Sequence, residues 1–127
     1  MSTTRSALLL FTLAMMMLPG AARAQTDVLL IQDSYPWGYN AWVMELAEHG
    51  IYPTEIESLD LGATDLTAYD LVITVSVQDD DYTDALQSKG ADLAAFVTGG
   101  GVLIWSGSRS DAQGPYPDPP FGASITN

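Results

Sequence analysis

The chain has 127 residues, no cysteine and a formal net charge of −12 at pH 7. Its 16 acidic residues outnumber four Lys and Arg, so the surface repels the phosphates of nucleic acids and anionic lipids, and we expect no nucleic-acid partner. The absence of cysteine excludes disulfides, thiol catalysis and thiolate metal sites.

Residues 1–24 have the order of a secretory signal peptide. Arg5 precedes the apolar stretch 7–18, and the small-residue run 21–24 ends at a cleavage position before Gln25. The apolar stretch is shorter than the roughly 20 residues that span a hydrocarbon core. We therefore expect an exported protein, secreted or periplasmic, that is cleaved after residue 24 and then has no transmembrane segment.

The first elements after the leader are a strand, a loop and a helix. Residues 27–32, D-V-L-L-I-Q, contain a short continuous apolar run, which is typical of a strand buried on both faces. Turn-forming residues occupy 33–39. Asn40 can cap a helix over residues 41–49, and Gly50 can take the left-handed conformation that ends it. This pattern is the first half of a βαβ unit.

Two further strands are predicted in the next part of the chain. Residues 54–59 alternate, with Glu55 and Glu57 on one side, which favours an edge strand. Residues 61–69 form a connection with room for a short helical turn. The apolar run 71–75 predicts another central strand.

A helical segment follows the aspartates 79–81 and continues to about residue 98. Gly90 within it marks either a break or a close approach to the sheet. The glycines 99–101 end the helix, and residues 102–105 predict a further apolar strand. From Ser106 onward the serines, glycines and prolines are typical of a loop or a disordered segment.

Alternating strands and helices predict an α/β fold with a small, mostly parallel sheet and right-handed crossovers. With the charged strand at one edge, the expected strand order is 2-1-3-4, in a flavodoxin-like three-layer sandwich. The domain covers residues 25–110, and residues 111–127 form a Pro/Gly-rich tail. The last strand lacks the usual edge protection, which indicates either a truncated gene model or a sheet completed by another chain.

Three runs carry a family resemblance: V-L-L-I-Q-D at 28–33, L-T-A-Y-D-L-V-I-T at 66–74, and L-A-A-F-V-T-G-G-G-V-L-I-W-S-G at 93–107. Together they resemble the class I glutamine amidotransferase-like superfamily, over residues 27–108. In catalytic members a cysteine follows the strand that matches 102–105, whereas here Ser106 is the nearest counterpart. The resemblance therefore implies the fold and an exported, non-catalytic member, and the family's downstream histidine and glutamate would lie beyond Asn127.

Ligands of open parallel sheets usually bind beyond the carboxyl ends of the strands. Three loops should meet there, 33–39, 76–82 and 106–110. Their candidate ligand-contacting residues are Asp33, Tyr35, Trp37, Tyr39, Gln78, Ser106 and Arg109. Aromatic rings beside carboxylates are a common way to hold a sugar. The alternative is that the aromatic residues cover the end of the sheet or a partner surface.

Other candidate groups have simpler interpretations. Asp79, Asp80 and Asp81 could gather a hard cation, but their spacing also suits a capped helix start. Ser106 lacks a base, because the only histidine, His49, is expected at the opposite side of the domain. Arg109 could bind a carboxylate or pair with local acids. We expect no cofactor.

The sequence leads to two functional hypotheses. The first is an exported, non-catalytic amidotransferase-like module that binds a small molecule, a glycan or a protein partner, as part of a larger envelope protein. The second is a hydrolase of carbohydrate or ester substrates that uses Asp33 or one of the aspartates 79–81. A further alternative is a truncated pseudogene product that does not fold stably.

Overall fold

The structure, a computed structural model, describes residues 25–106 and Pro119. The predictions for the signal peptide, for Arg109 and for the tail 111–127 concern residues outside this part of the chain.

Four parallel strands form one sheet in the order β2-β1-β3-β4. Their bounds are β1 (Val28–Ile31), β2 (Thr54–Ile56), β3 (Leu71–Thr74) and β4 (Val102–Ile104). The predicted strand order is therefore confirmed, and the two apolar runs at β1 and β3 occupy the centre. Central strands are covered on both faces, which is why their sequences are apolar without alternation.

Three α-helices connect these strands: α1 (Ala41–Glu48), α2 (Asp80–Ser88) and α3 (Gly90–Thr98). Shorter 3-10 turns span Pro36–Gly38, Ser58–Ala63 and Leu66–Ala68. Within the part of the chain described here, every helix is too short or too polar to cross a lipid bilayer.

The helix boundaries follow from local chemistry. The Asn40 side chain accepts a hydrogen bond from the Val43 N–H at 3.3 Å and so caps α1. Gly50 ends this helix with φ of 73°, a conformation that glycine adopts without strain. Lys89 separates α2 from α3, so Gly90 marks a break in the predicted long helix.

The two faces of the sheet are covered by different helices. Val28, Leu30, Ile73 and Val75 pack under α1, through Trp42, Val43 and Leu46. The opposite face packs under α2 and α3, in a core cluster whose buried residues, from the sheet, the two helices and the 3-10 turns, are Leu29, Ile31, Leu61, Leu66, Val72, Tyr82, Leu86, Leu93 and Phe96. A flavodoxin-like three-layer α/β sandwich results, in which each buried aliphatic side chain contributes about 1.5–3 kcal/mol.

One predicted element is shorter than expected. The strand predicted over residues 54–59 ends at Ile56, and Ser58 starts a 3-10 turn. The physical reason is a long-range contact, because the Asp33 carboxylate accepts hydrogen bonds from the Ser58 N–H and hydroxyl. These bonds draw the chain away from the sheet at the carboxyl end of β1.

Candidate functional site

Two of the predicted loops meet at the carboxyl ends of β1 and β3 through the side chain of Gln78. Its Oε1 accepts hydrogen bonds from the backbone N–H groups of Asp33 and Ser34, at 2.8 and 2.9 Å. Its Nε2 donates to the Ser34 carbonyl at 3.0 Å. Gln78 is only 1% exposed, so its amide holds the loops in place and does not reach the surface.

Tyr82, in the first turn of α2, forms hydrogen bonds at the carboxyl ends of the same two strands. Its hydroxyl donates to the Ile31 carbonyl and accepts from the Val75 N–H, both at 2.8 Å. Burial raises the pKa of this phenol well above its usual range. The sequence analysis did not identify Tyr82 as a site residue. The sequence does contain a signal for it, because this aromatic residue lies three positions after the helix cap Asp79.

Both loops contain a strained backbone position. Trp37 has φ of 65° and Val77 has φ of 62°, a region that a β-branched residue rarely adopts. Such conformations persist where the surrounding structure fixes them. For Val77 the constraint comes from the next residue, Gln78, whose buried amide is fixed by its hydrogen bonds.

A cleft of about 600 Å³ opens beside the carboxyl ends of β1 and β2. It is lined by Gln32, Asp33, Ser34, Tyr35, Glu55, Ile56, Glu57 and Asp60. Among these described residues there are four carboxyl groups and no Lys, Arg or His. The cleft therefore presents mainly hydrogen-bond acceptors and negative charge.

Hydrogen bonds fix two of the four carboxylates. Asp33 accepts the Ser58 N–H at 2.6 Å and the Ser58 hydroxyl at 2.5 Å, one on each oxygen. Glu55 Oε2 accepts from Gln32 Nε2 at 2.8 Å and from Asn40 Nδ2 at 2.7 Å. The walls of the cleft are thus held in one arrangement by short, charge-assisted bonds.

The other two carboxylates are available to a ligand. Glu57 and Asp60 lie on the exposed rim where the chain leaves β2. Within the described residues their carboxylate oxygens have no hydrogen-bond donor. They can therefore accept hydrogen bonds from a ligand without breaking a contact in the protein.

The three predicted aromatic residues, Tyr35, Trp37 and Tyr39, are each more than half exposed. Tyr35 lines the cleft. Trp37 lies within the 3-10 turn Pro36–Gly38, and Tyr39 follows that turn. In the described part of the chain they are not used to cover the end of the sheet. All three rings are accessible, and that of Tyr35 lies beside the carboxylates of the cleft.

The remaining predicted site residues lie elsewhere. The Ser106 N–H donates to Thr74 Oγ1 at 2.9 Å, which places Ser106 beside the end of β3, outside the cleft lining. Arg109 lies outside the described residues. His49 follows the end of α1 and lies 3.7 Å from Glu45 Oε1, so it does not belong to this cleft.

The aspartates 79–81 start α2. Asp79 Oδ1 accepts the Tyr82 N–H at 3.0 Å, which makes Asp79 the helix cap, and Asp80 and Asp81 lie in the first turn. Among residues 25–106 and Pro119, no group of three or more His, Cys, Asp or Glu lies close enough together to hold a metal ion. Of the two roles considered for these aspartates, cation binding and helix capping, the geometry shows capping by Asp79.

Comparisons with protein-family models, with curated proteins and with solved structures give no match for this chain. The resemblance to the class I glutamine amidotransferase-like superfamily stays a prediction from the sequence. Because flavodoxin-like folds carry many unrelated functions, the fold alone does not identify an activity.

Proposed function

We propose that the protein is an exported, non-catalytic amidotransferase-like module that binds a carbohydrate in the acidic cleft beside β1 and β2. The observation that carries this proposal is the combination, in one cleft, of fixed and available carboxylates with the exposed ring of Tyr35. The cleft volume of about 600 Å³ lies within the range of about 300–1,000 Å³ usual for ligand pockets.

Sugar hydroxyls are hydrogen-bond donors that suit the rim of this cleft. Glu57 and Asp60 offer carboxylate oxygens that make no bond within the described residues, and the Tyr35 ring offers an apolar face. A sugar ring stacks its C–H face on an aromatic ring while its hydroxyls bond to neighbouring acceptors. Both interactions are available without rearrangement, because Asp33 and Glu55 are already fixed by their own partners.

The same geometry favours binding over hydrolysis. A glycosidase needs a carboxylic acid kept protonated by its surroundings, with a second carboxylate opposite. Both oxygens of the Asp33 carboxylate accept hydrogen bonds from Ser58. Asp79 is used to cap α2. Asp33 and Asp79 are therefore committed to structural bonds, and the other two candidates, Asp80 and Asp81, lie in the first turn of α2, outside the lining of this cleft.

The proposal is tested with the full chain, expressed in a secreting bacterial host and purified in the form the host yields. Mass spectrometry of the secreted protein should find an amino terminus at Gln25. Binding is then measured on a panel of immobilised glycans, followed by calorimetric titration with the best soluble oligosaccharide. We expect Tyr35→Ala to weaken binding by about fivefold or more, since aromatic stacking contributes about 1 kcal/mol or more.

Matched controls separate the cleft from the rest of the surface. Tyr52→Ala removes an exposed tyrosine that does not line the cleft and should leave binding unchanged. Glu57→Gln should weaken binding, while Glu48→Gln on α1 should not. If no glycan binds, or if Tyr35→Ala binds as well as the unaltered protein, the proposal is wrong. Release of reducing sugar from a bound glycan would instead support the hydrolase hypothesis.

A further inference from the structure

β4 is an edge strand of the sheet as far as the structure describes it, because within residues 25–106 no strand lies beyond it. The Val102 N–H donates to the Asp70 carbonyl at 2.9 Å, toward β3. Because alternate residues of a strand direct their N–H and C=O groups to the same side, those of Leu103 face away from β3. One donor and one acceptor are therefore presented to an incoming strand.

The side chains beside this edge are apolar and accessible. Val102 and Ile104 are 57% and 36% exposed. Their register with Leu71 and Ile73 places them on the sheet face that α1 covers farther along, at β1 and β3. The apolar face of the sheet thus continues past the helix and reaches solvent at β4.

Charge distinguishes the two edges of the sheet. At the opposite edge, β2 carries Glu55, and Glu57 follows it, as is usual where edges are protected against pairing. The stretch 93–108, which contains β4, has no charged residue, although the chain as a whole is strongly acidic. The β4 edge therefore suits an uncharged, apolar strand.

We propose that β4 pairs antiparallel with β4 of a second copy of this chain, about a two-fold axis at Leu103. The Leu103 N–H and C=O then exchange hydrogen bonds with the same groups of the second copy. In this register Val102 lies opposite Ile104, so apolar side chains meet on the exposed face. Trp105 lies opposite Gly101, whose neighbour is the Phe96 ring. The edge is self-complementary at each of these positions.

The dimer is weak and depends on salt. Strands this short bury less than the roughly 1,200 Å² of a standard stable interface, so association depends on protein concentration. Each copy also carries a large negative charge, and the two copies repel each other. Salt screens this repulsion, since the Debye length falls from about 30 Å at 0.01 M to about 8 Å at 0.15 M.

Sedimentation equilibrium of the full chain, from the secreting host, tests the proposal. We expect a monomer–dimer equilibrium whose dimer fraction increases with protein concentration and with sodium chloride. Val102→Lys should raise the dissociation constant by about tenfold, because it places a charge in each of two symmetric apolar pairs. Leu59→Lys is the matched control: Leu59 is 82% exposed in a 3-10 turn away from β4, and dimerisation should be unchanged.

A charge-pair variant tests the register. In Val102→Lys/Ile104→Glu each new lysine faces the new glutamate of the other copy, so the dimer should return toward the original strength. Circular dichroism confirms that each variant is folded. A monomer at all concentrations would overturn the proposal. Protection of the Leu103 amide from hydrogen exchange in that monomer would show that residues of the same chain cover the edge. A dimer that tolerates Val102→Lys would overturn it as well.

Discussion

Gln78 holds the backbone of Ser34 by two hydrogen bonds of opposite direction: the Ser34 N–H donates to Oε1 at 2.9 Å, and Nε2 donates to the Ser34 carbonyl at 3.0 Å. The two residues are 44 positions apart in sequence. Ser34 lies between Asp33 and Tyr35, which both line the cleft. A buried amide after β3 therefore sets the position of the cleft wall after β1.

Gln78→Ala should destabilise the protein by about 2–4 kcal/mol, because the N–H groups of Asp33 and Ser34 lose their common acceptor and a buried side chain is truncated. The free energy of unfolding in urea measures this change. Gln87→Ala on the exposed side of α2 is the control, with an expected change within about 0.5 kcal/mol. Equal losses in the two variants would show that Gln78 is not a structural clamp.

Tyr82→Phe should lower the free energy of unfolding by about 1–3 kcal/mol. It removes only the hydroxyl, and so leaves the Ile31 carbonyl and the Val75 N–H without a partner in a buried site. Tyr52→Phe alters an exposed tyrosine and should have almost no effect. A Tyr82→Phe protein as stable as the original would contradict the two hydrogen bonds.

Stability should also decline at alkaline pH because of Tyr82. Burial raises the pKa of its phenol in the folded protein, whereas in the unfolded chain it ionises at about pH 10. The folded pKa is the higher one, so this contribution is complete below about pH 10 and is lost as the pH rises. Between about pH 9 and about pH 11 the stability advantage over Tyr82→Phe should shrink by about 1 kcal/mol. An advantage that stays constant over this range would show that Tyr82 ionises normally in the fold.

Gly101→Ala should destabilise the protein by about 1–3 kcal/mol, the usual effect of overpacking. A Cβ at this position would lie 2.2 Å from Cζ of Phe96, so the ring would have to leave its place under β4. Gly62→Ala is the control, because a Cβ there meets nothing closer than Lys89 Cε at 3.9 Å. We expect that variant to be neutral in thermal unfolding. If both variants have the same Tm, the Phe96 packing is wrong.

The fold could be predicted from the sequence because its signals are local. Each signal determines the conformation of only a few neighbouring residues. The signals are the apolar runs at β1 and β3, the cap residue Asn40 and the glycine at position 50. The strand order followed from one more local feature, the charges of β2. The 3-10 turn at Ser58–Ala63 was missed, because it depends on the contact with Asp33, 25 positions away.

The candidate site was predicted only in part. Two of the three predicted loops, 33–39 and 76–82, do meet, since the carboxyl ends of parallel strands share one edge; residues 107–110 of the third loop lie outside the described part of the chain. The role of Gln78 could not be predicted, because a polar residue in a loop gives no signal of its burial. The acidic cleft also involves Glu57, which the sequence analysis assigned to the edge strand 54–59, and Asp60, which it assigned to no element. Their approach to Tyr35 depends on where β2 ends.

Asp79 provides a test of capping against cation binding. Asp79→Ala removes the acceptor for the Tyr82 N–H and should lower the free energy of unfolding by about 1 kcal/mol. Asp79→Asn keeps a side-chain oxygen of nearly equal capping strength, so its stability should remain close to that of the original protein. If Asp79 instead binds a cation, Asp79→Asn should lose the stability that the bound cation provides, because an amide is a poorer ligand than a carboxylate for a hard cation. Thermal unfolding with and without calcium separates the two: capping predicts the same Tm in both, whereas a calcium-dependent rise in Tm that Asp79→Asn abolishes would show that the aspartates 79–81 bind an ion.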